Sequence, residues 1–183
     1  SGLAKNLIKN GIATTGLDLS DERVSAFVEM SGTPAGFVAE LGTNSDAVFV
    51  MVMNGVQAKV VILGDDGLAA HMPKGGAVIL TATIKPSEAR DIGAALEGSG
   101  IHLIDSPVSG GFPGAQGGTL TMMAAATSEV LDQYKPIMGA VSKTIHWVGT
   151  RAGDGQVMKS CLQTLIGSIF GATFEAAALA AKA

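Results

Sequence analysis

The stretch "DAVFVMVMNGVQAKVVILGDDGLAAHMPKGGAVILTAT" (46–83) contains the pattern that decides the fold. Its first part, 46–53, is a continuous apolar run, which is typical of a strand buried on both faces. The next segment, 55–64, predicts a helix, although its β-branched residues weaken the helical preference. A second apolar run, 76–83, predicts another buried strand. The order strand, helix, strand indicates a right-handed crossover within a mostly parallel sheet.

The same alternation continues on both sides of this stretch. Upstream, the sequence predicts a helix over 1–11, a short strand over 12–17 and a helix over 20–30 with Ser20 as its N-cap. Downstream, it predicts a helix over 87–100, strands over 101–107 and 119–126, a helix over 128–140, a strand over 143–149 and a helix from Asp154 to Ala183. We therefore predict an α/β fold with a doubly wound, mostly parallel Rossmann-type sheet.

The first and last elements predict where this fold is incomplete. The chain opens on a helix, whereas the first strand of a doubly wound sheet is central. Without that strand, two buried strand edges would lack partners. We therefore expect a sheet truncated before its first strand, and an internal piece of a longer protein. The expected units are an incomplete Rossmann-type domain, 1–153, and a helix that opens an all-helical C-terminal domain, 154–183.

The composition excludes several classes of protein. Hydrophobic residues make up 47% of the 183 residues and charged residues 15%, with a mean hydropathy of +0.38, which is unlike a disordered chain. The net charge of −4 and the lack of a basic cluster argue against a nucleic-acid partner. The single cysteine, Cys161, excludes a disulfide framework, and the three histidines lack metal-ligand spacing. We predict no metal site.

The sequence shows no signal peptide, and one stretch is apolar enough to suggest a membrane span. This stretch, 164–183, contains Glu175 and is dominated by small residues. A helix that is apolar on most faces is more often buried between protein layers than in lipid. We predict a cytoplasmic protein with no membrane contact.

A glycine-rich stretch, "DSPVSGGFPGAQGGTLTMMAAA" (105–126), places five glycines between two apolar runs. Glycines in this number suggest backbone that another molecule must approach closely. The alternative is a long hairpin with loose turn chemistry. Spacing alone leaves both interpretations open.

A second stretch, "GDGQVMKSCLQTLIG" (153–167), places a lysine on an otherwise apolar helix that Asp154 can cap. Lys159 could pack its stem and extend its amine to water. Alternatively, burial and the positive end of the helix dipole could lower its pKa toward a value useful for proton transfer. Both interpretations use the same residues.

Together these two stretches resemble the β-hydroxyacid dehydrogenase family, to which 6-phosphogluconate dehydrogenase is related. The family's substrate motif, D-x-P-V-S-G-G followed by G-A and G-T-L, stands here at Asp105, Pro107, Val108, Ser109, Gly110, Gly111, Gly114, Ala115, Gly118, Thr119 and Leu120. Its catalytic motif, G-x-G-x-x-x-K, stands at Gly153, Gly155 and Lys159. The resemblance covers the whole chain in order.

The resemblance implies an enzyme that acts on a small hydroxy acid. Ser109 and the amides of Gly110 and Gly111 would hold the substrate carboxylate, since consecutive amides without side chains form an anion nest. Lys159 would be the general acid/base. A non-catalytic dinucleotide-binding module is the alternative, but a pure binder needs no buried lysine.

The resemblance also implies NAD as cofactor. The family's phosphate-binding turn, G-x-G-x-x-G, would lie ahead of Ser1, because Ala4, Asn6 and Leu7 match the helix that follows it. Asp18 would accept the ribose hydroxyls and repel a 2′-phosphate, which makes NADP a weaker cofactor. Asp18 could instead cap the helix entry beside Ser20, and Thr83 could be a turn residue before Pro86. The remaining positions that the resemblance places at the cofactor are Val52, Met53, Gln57 and Thr83.

One departure from the family pattern concerns the substrate. Many members have asparagine four residues beyond the catalytic lysine, whereas this chain has Gln163 on the same helix face as Lys159. Glutamine here resembles the threonate dehydrogenase branch, so we expect a four-carbon sugar acid such as threonate. A substrate of the 3-hydroxyisobutyrate or tartronate semialdehyde type is the alternative. We expect the full-length protein to be a homo-oligomer.

Overall fold

A computed structural model describes residues 2–182 of the chain. The helices are α1 (Gly2–Lys9), α2 (Asp21–Glu29), α3 (Val38–Thr43), α4 (Gly55–Leu63), α5 (Leu68–His71), α6 (Pro86–Leu96), α7 (Gly111–Gly117), α8 (Ser128–Val141) and α9 (Asp154–Lys182). The strands are β1 (Thr15–Gly16), β2 (Thr33–Pro34), β3 (Ala47–Val50), β4 (Ala77–Leu80), β5 (His102–Asp105), β6 (Val108–Ser109), β7 (Leu120–Ala125) and β8 (Ser142–Gly149). The first predicted helix begins at Ser1 and the last predicted helix ends at Ala183. Both of these residues lie outside the described residues.

The strands form a six-stranded sheet and a separate pair. The order in the large sheet is β3-β4-β5-β7-β6, with β8 also paired to β7, and β1 pairs with β2. Four strand pairs are parallel, and the pairs β5/β7 and β6/β7 are antiparallel. The predicted α/β fold with a mostly parallel sheet is therefore confirmed. The antiparallel β6/β7 pair is the hairpin that the sequence left open for the glycine-rich stretch, whereas the β5/β7 pair was not predicted. Both arise because the chain reverses through α7 instead of crossing over.

The predicted strand over 12–17 is reduced to the two residues of β1. Within the described residues, β3 pairs only with β4, and no strand joins the two sheets. That a central strand precedes this chain stays a prediction. The elements β2, α3, α5, β6 and α7 were not predicted.

The core lies on both faces of the large sheet. Val78 and Leu80 of β4 belong to one apolar cluster, and Ala77 and Ile79 belong to the other. All four are fully buried, as predicted for this strand. The same prediction is wrong for β3, in which Phe49 is only half-buried. The cause is position, because β3 is the edge of its sheet whereas β4 lies between two strands.

The long helix α9 packs only through its beginning. Its large apolar side chains from Leu165 to Leu179 are exposed, except the half-buried Ile166, so the burial predicted for 164–183 is wrong within the described residues. The rest of the described chain offers α9 no second layer to pack against. By length and composition, with a mean hydropathy of 1.5, α9 could also cross a membrane. A single helix of this kind is weak evidence for a span.

Candidate active site

The side chains expected at the site follow the carboxyl ends of neighbouring parallel strands. Val52 and Met53 follow β3, Thr83 follows β4, and Asp105 ends β5. In open α/β sheets, ligands bind in the crevice outside these strand ends. The fold therefore brings the expected cofactor and substrate segments to one edge of the six-stranded sheet.

Asp105 connects this edge to the first turn of α9. Its side chain is fully buried, and Oδ2 accepts hydrogen bonds from the backbone amides of Gly153 (2.8 Å) and Gln156 (3.3 Å). A carboxylate at a helix N-terminus satisfies orphan amides and complements the helix dipole. Burial raises the pKa of Asp105, and the hydrogen bonds from Gln156 and Gly153 oppose that rise.

The two glycines of the catalytic motif permit a close approach between α9 and the sheet. A Cβ atom on Gly155 would lie 2.6 Å from the carbonyl oxygen of Met123 and 2.7 Å from that of Asp105. Gly153 has a φ of +96°, which favours glycine. Gly155 therefore lets α9 start directly against β5 and β7, and Gly153 makes the turn before the helix, with its Cα beside the carbonyl oxygen of Pro86 in α6.

Lys159 lies one turn beyond this contact. Only 7% of its surface is exposed, and it takes part in neither ion pair formed among the described residues. Burial lowers its pKa, because the charged ammonium loses hydration. Of the two interpretations made from sequence, this placement favours the lysine with a lowered pKa over the lysine that extends to water.

The expected carboxylate-binding segment lies between β6 and α7. Ser109 is half-buried and pairs with Thr121 of β7, and Gly110 and Gly111 have φ values of +127° and +58°. These φ values favour glycine and turn the chain into the first turn of α7. The stretch is thus a hairpin with a short helix at its tip, and the amides beside Ser109 lie at the helix start.

Asn6 fixes α1 against α7. Its buried side chain donates hydrogen bonds from Nδ2 to the carbonyl oxygens of Gly2 and Ala115, both at 2.8 Å. A Cβ atom on Gly2 would lie 2.5 Å from the Ala115 carbonyl, so the two backbones are in close contact. Therefore α1, which matches the family's cofactor segment, packs directly on α7, which begins at the Gly110 and Gly111 pair.

The loop after β3 is ordered by its own side chains. Asn54 caps α4 by accepting a hydrogen bond from the Gln57 amide at 2.9 Å. The Gln57 Oε1 atom accepts a hydrogen bond from the Met53 amide at 2.9 Å. Met53 is exposed and Val52 is half-buried. Gln57 thus holds the loop in shape, a role that the sequence did not indicate.

Asp18 lies two residues beyond β1, beside a shallow cavity. Its Oδ1 atom accepts a hydrogen bond from the Ser20 amide at 3.0 Å, and its Oδ2 atom is 3.5 Å from a guanidinium nitrogen of Arg23. Ser20 itself caps α2, as predicted. The cavity, about 70 Å³, is lined by Ala4, Gly16, Leu17, Asp18, Arg23, Val24 and Phe27. The bond from the Ser20 amide matches the helix-entry role that the sequence left open for Asp18. The exposed carboxylate beside a cavity also fits the ribose of a dinucleotide, so both interpretations stay open.

Two further residues that the resemblance places at the site are exposed. Thr83 is exposed, between the buried residues Ala82 and Ile84. Gln163 is exposed on α9, one turn beyond Lys159. Residues 2–182 contain no group of three or more histidine, cysteine or acidic side chains that could hold a metal ion.

Gln156 is the residue of this edge that the sequence did not reveal. It is fully buried, and its side chain bonds to Ile84, Ala82 and Asp105. Its only sequence signal was that it is a polar residue in the first turn of an apolar helix, directly after Gly155.

Residues 1–149 match the model of the family described as the NAD binding domain of 6-phosphogluconate dehydrogenase. An L-threonate dehydrogenase of Escherichia coli is 34% identical over 100% of this chain and 61% of its own length. An NAD-dependent L-serine dehydrogenase of Pseudomonas aeruginosa is 35% identical over 97% of this chain and 59% of its own length. The chain thus spans about three fifths of these curated relatives.

A crystal structure of 3-hydroxyisobutyrate dehydrogenase from Salmonella typhimurium has the same fold. The two superpose with a TM-score of 0.91 at 31% identity, over 99% of this chain and 63% of the other. The shared cofactor-domain model and the shared fold agree with the motifs at Asp105–Leu120 and Gly153–Lys159. The chain therefore belongs to the family of NAD-binding domains of 6-phosphogluconate dehydrogenase and its relatives, the β-hydroxyacid dehydrogenases.

Proposed function

We propose that this chain is the NAD-binding part of a dehydrogenase that acts on a small β-hydroxy acid, with a four-carbon sugar acid such as threonate as substrate. The observation that carries the proposal is the placement of Lys159. This lysine is buried one turn after the point where Asp105 fixes α9 to the sheet edge. The segment that follows Asp105 leads to Ser109, Gly110 and Gly111.

Lys159 supplies the proton transfer in this proposal. Burial lowers the pKa of Lys159, which raises the fraction of neutral amine at a given pH, and the neutral amine can accept the proton of the substrate hydroxyl. In the direction of reduction, the same group returns the proton to the developing alkoxide. NAD, when bound, would supply the acceptor for the hydride of the hydroxyl-bearing carbon. We expect activity in the oxidative direction to fall as pH drops below the pKa of Lys159.

Ser109, Gly110 and Gly111 hold the substrate carboxylate in this proposal. The serine hydroxyl and the two amides are donors, and the left-handed glycine conformations turn the chain so that consecutive amides lie together. Because a carboxylate and one hydroxyl are common to every hydroxy acid, these three residues bind the class and do not discriminate within it.

Gln163 discriminates among hydroxy acids in this proposal. Its amide both donates and accepts hydrogen bonds, which suits a substrate with further hydroxyl groups better than one with a methyl group. The L-threonate dehydrogenase among the relatives supports this choice, although the L-serine and 3-hydroxyisobutyrate enzymes leave other small hydroxy acids as alternatives.

The cofactor is held by Asp18, Val52, Met53, Gln57 and Thr83 in this proposal. The Asp18 carboxylate accepts the ribose hydroxyls, and the loops after β3 and β4 border the nicotinamide end. In this proposal 1–153 belong to the cofactor domain, and 154–183, of which α9 is the described part, open a further helical domain. The exposed apolar side chains of α9 support the view that this domain or a second copy covers them. We place the protein in the cytoplasm.

The proposal is tested by a panel of hydroxy acids assayed with NAD on the full-length protein. We expect threonate to be oxidised with a higher kcat/KM than 3-hydroxyisobutyrate. Gln163→Leu should lower kcat/KM for threonate roughly 100-fold and change that for 3-hydroxyisobutyrate far less, because a site built for a hydroxyl depends on its hydrogen bond. Gln133→Leu, at an exposed glutamine of α8, is the matched control.

Two results would contradict this proposal in different ways. A preference of the unmodified enzyme for 3-hydroxyisobutyrate would remove threonate as substrate and leave the dehydrogenase intact. No NADH formation with any hydroxy acid in the panel would remove the dehydrogenase itself and favour a binding module.

A further inference from the structure

The Gln156 side chain joins three segments that are distant in sequence. Its Oε1 atom accepts a hydrogen bond from the Ile84 amide at 3.0 Å. Its Nε2 atom donates to the Ala82 carbonyl at 3.1 Å and to Oδ1 of Asp105 at 2.8 Å. The carbonyl and both amide hydrogens are thus used, in a side chain with no exposed surface. The amide is fully satisfied in the interior.

Each of the three segments leads to a part of the proposed site. Ala82 and Ile84 flank Thr83, the cofactor residue of the loop after β4. Asp105 ends β5 four residues before Ser109. Gln156 itself lies on α9 three residues before Lys159, so the two side chains are one turn apart.

The backbone of Gln156 belongs to the same network. Its amide and that of Gly153 donate to Oδ2 of Asp105, while the side-chain amide donates to Oδ1. One buried carboxylate therefore receives three hydrogen bonds from Gly153 and Gln156, at the start of α9. A fully satisfied buried network of this kind rigidifies its surroundings and specifies a single geometry.

We propose that Gln156 is a positioning residue, whose amide holds Lys159, the Ser109 segment and the Thr83 loop in one fixed arrangement. The inference rests on the proposed function, because Lys159, Ser109 and Thr83 have their roles only there. An apolar side chain of the same length could fill the space, but it could not set the loop after β4 relative to α9. Proton transfer and hydride transfer need the loop after β4 and the helix α9 to be aligned with each other.

The direct test is Gln156→Met in the full-length protein, since methionine keeps the length and removes the hydrogen bonds. We expect kcat for the best hydroxy acid to fall roughly 10- to 100-fold, the range expected when a reacting group is displaced by about 1 Å. Because a loosened first turn lets water reach Lys159, the acid limb of the kcat profile should move to higher pH. Affinity for NAD, measured by fluorescence titration, should change less than kcat.

A reciprocal exchange keeps the test valid if the methionine variant folds poorly. Asp105→Asn places an amide against the Gln156 amide, and Gln156→Glu places a carboxylate against Asp105. The double variant restores a donor and an acceptor across the pair, although Ala82 loses its hydrogen bond. We expect the double variant to be at least 10-fold more active than either single variant, which corresponds to the coupling found between direct contacts.

Hydrogen exchange supplies a measurement that does not depend on activity. Gln156→Met should raise amide exchange at both 82–84 and 107–111, whereas Gln133→Met at the exposed glutamine of α8 should change neither. The inference is overturned if the unmodified enzyme is active while Gln156→Met keeps its kcat and pH profile. It is also overturned if activity falls with an unshifted profile and exchange rises throughout the protein, since that pattern is general destabilisation. If the unmodified protein shows no activity, the proposed function fails, and unchanged exchange at 82–84 and 107–111 would separately overturn the inference.

Discussion

Among the described residues, Asp105 and Lys159 are the charged side chains that lie buried, and both belong to the same edge of the sheet. Burial raises the pKa of Asp105 and lowers that of Lys159, so in each case it disfavours the charged form. Burying ionisable groups costs stability unless they are paired, and such groups cluster at functional sites. Asp105 receives three hydrogen bonds from Gly153 and Gln156, which suits an anchor for α9, and Lys159 takes part in neither described ion pair, which suits its proposed role as the acid/base group.

Asp18 carries a prediction about cofactor choice. Its carboxylate lies 3.5 Å from Arg23, so the residue that would repel a 2′-phosphate stands beside one that could bind it. We expect the unmodified enzyme to favour NAD over NADP in kcat/KM. Asp18→Asn should shift the ratio toward NADP by roughly 10- to 100-fold, because one charge-assisted hydrogen bond is lost and Arg23 is released.

The control for this prediction is Asp21→Asn, which removes the same charge from the exposed first turn of α2. It should leave the ratio of kcat/KM values almost unchanged. Equal use of both cofactors by the unmodified enzyme would show that Asp18 does not select between them. An Arg23→Ala background in which Asp18→Asn has the same effect would remove Arg23 from the explanation.

At the scale of elements, the start of α9 depends on a glycine that touches two strands. Gly155→Ala places a Cβ atom 2.6 Å from the Met123 carbonyl and 2.7 Å from the Asp105 carbonyl, both of which are backbone atoms. The helix start must therefore shift, which should lower the free energy of unfolding by about 1–3 kcal/mol. Thermal unfolding measures this change, and kcat should fall because Lys159 moves with the helix.

Gly139→Ala is the matched control on α8, because a Cβ atom there meets nothing within 4 Å. It should leave stability unchanged or raise it by up to about 1 kcal/mol through helix propensity. If Gly155→Ala unfolds at the same temperature as the unmodified protein and stays fully active, the close approach of α9 to β5 and β7 is not required.

The elements that the sequence predicted differ from those it missed in where their stability originates. The strand β4 was predictable because burial on both faces leaves a continuous apolar run. The helix α7 was missed because its glycines and proline have low helical preference. It is held by tertiary contacts, such as the packing of Gly114 on Leu120 and the bond from Asn6 to Ala115. Local pattern cannot show contacts of this kind.

The site residues likewise differ in whether the local sequence indicates them. Ser109 and Lys159 stand in motifs of consecutive residues, which a single sequence displays. Gln156 has its partners 51, 72 and 74 residues away, and nothing near it in the sequence indicates them. Gln57 likewise matched the cofactor segment, yet its side chain turns back to the Met53 amide.

At the scale of the whole molecule, the described chain leaves two surfaces unpaired. One is the edge of β3 that faces no strand, with β1 and β2 in a separate sheet. The other is the apolar surface of α9 beyond Lys159. Because the chain spans about three fifths of its curated relatives, we assign catalysis to the full-length protein and test it there.

The most direct test of the account is the turnover of Lys159→Ala in the full-length protein, with NAD and the best hydroxy acid of the panel. Loss of a positioned acid/base group should lower kcat by roughly two to four orders of magnitude, while NAD affinity stays close to that of the unmodified enzyme. Lys135→Ala, at an exposed lysine of α8, should keep full turnover. Near-normal turnover of Lys159→Ala would contradict the account.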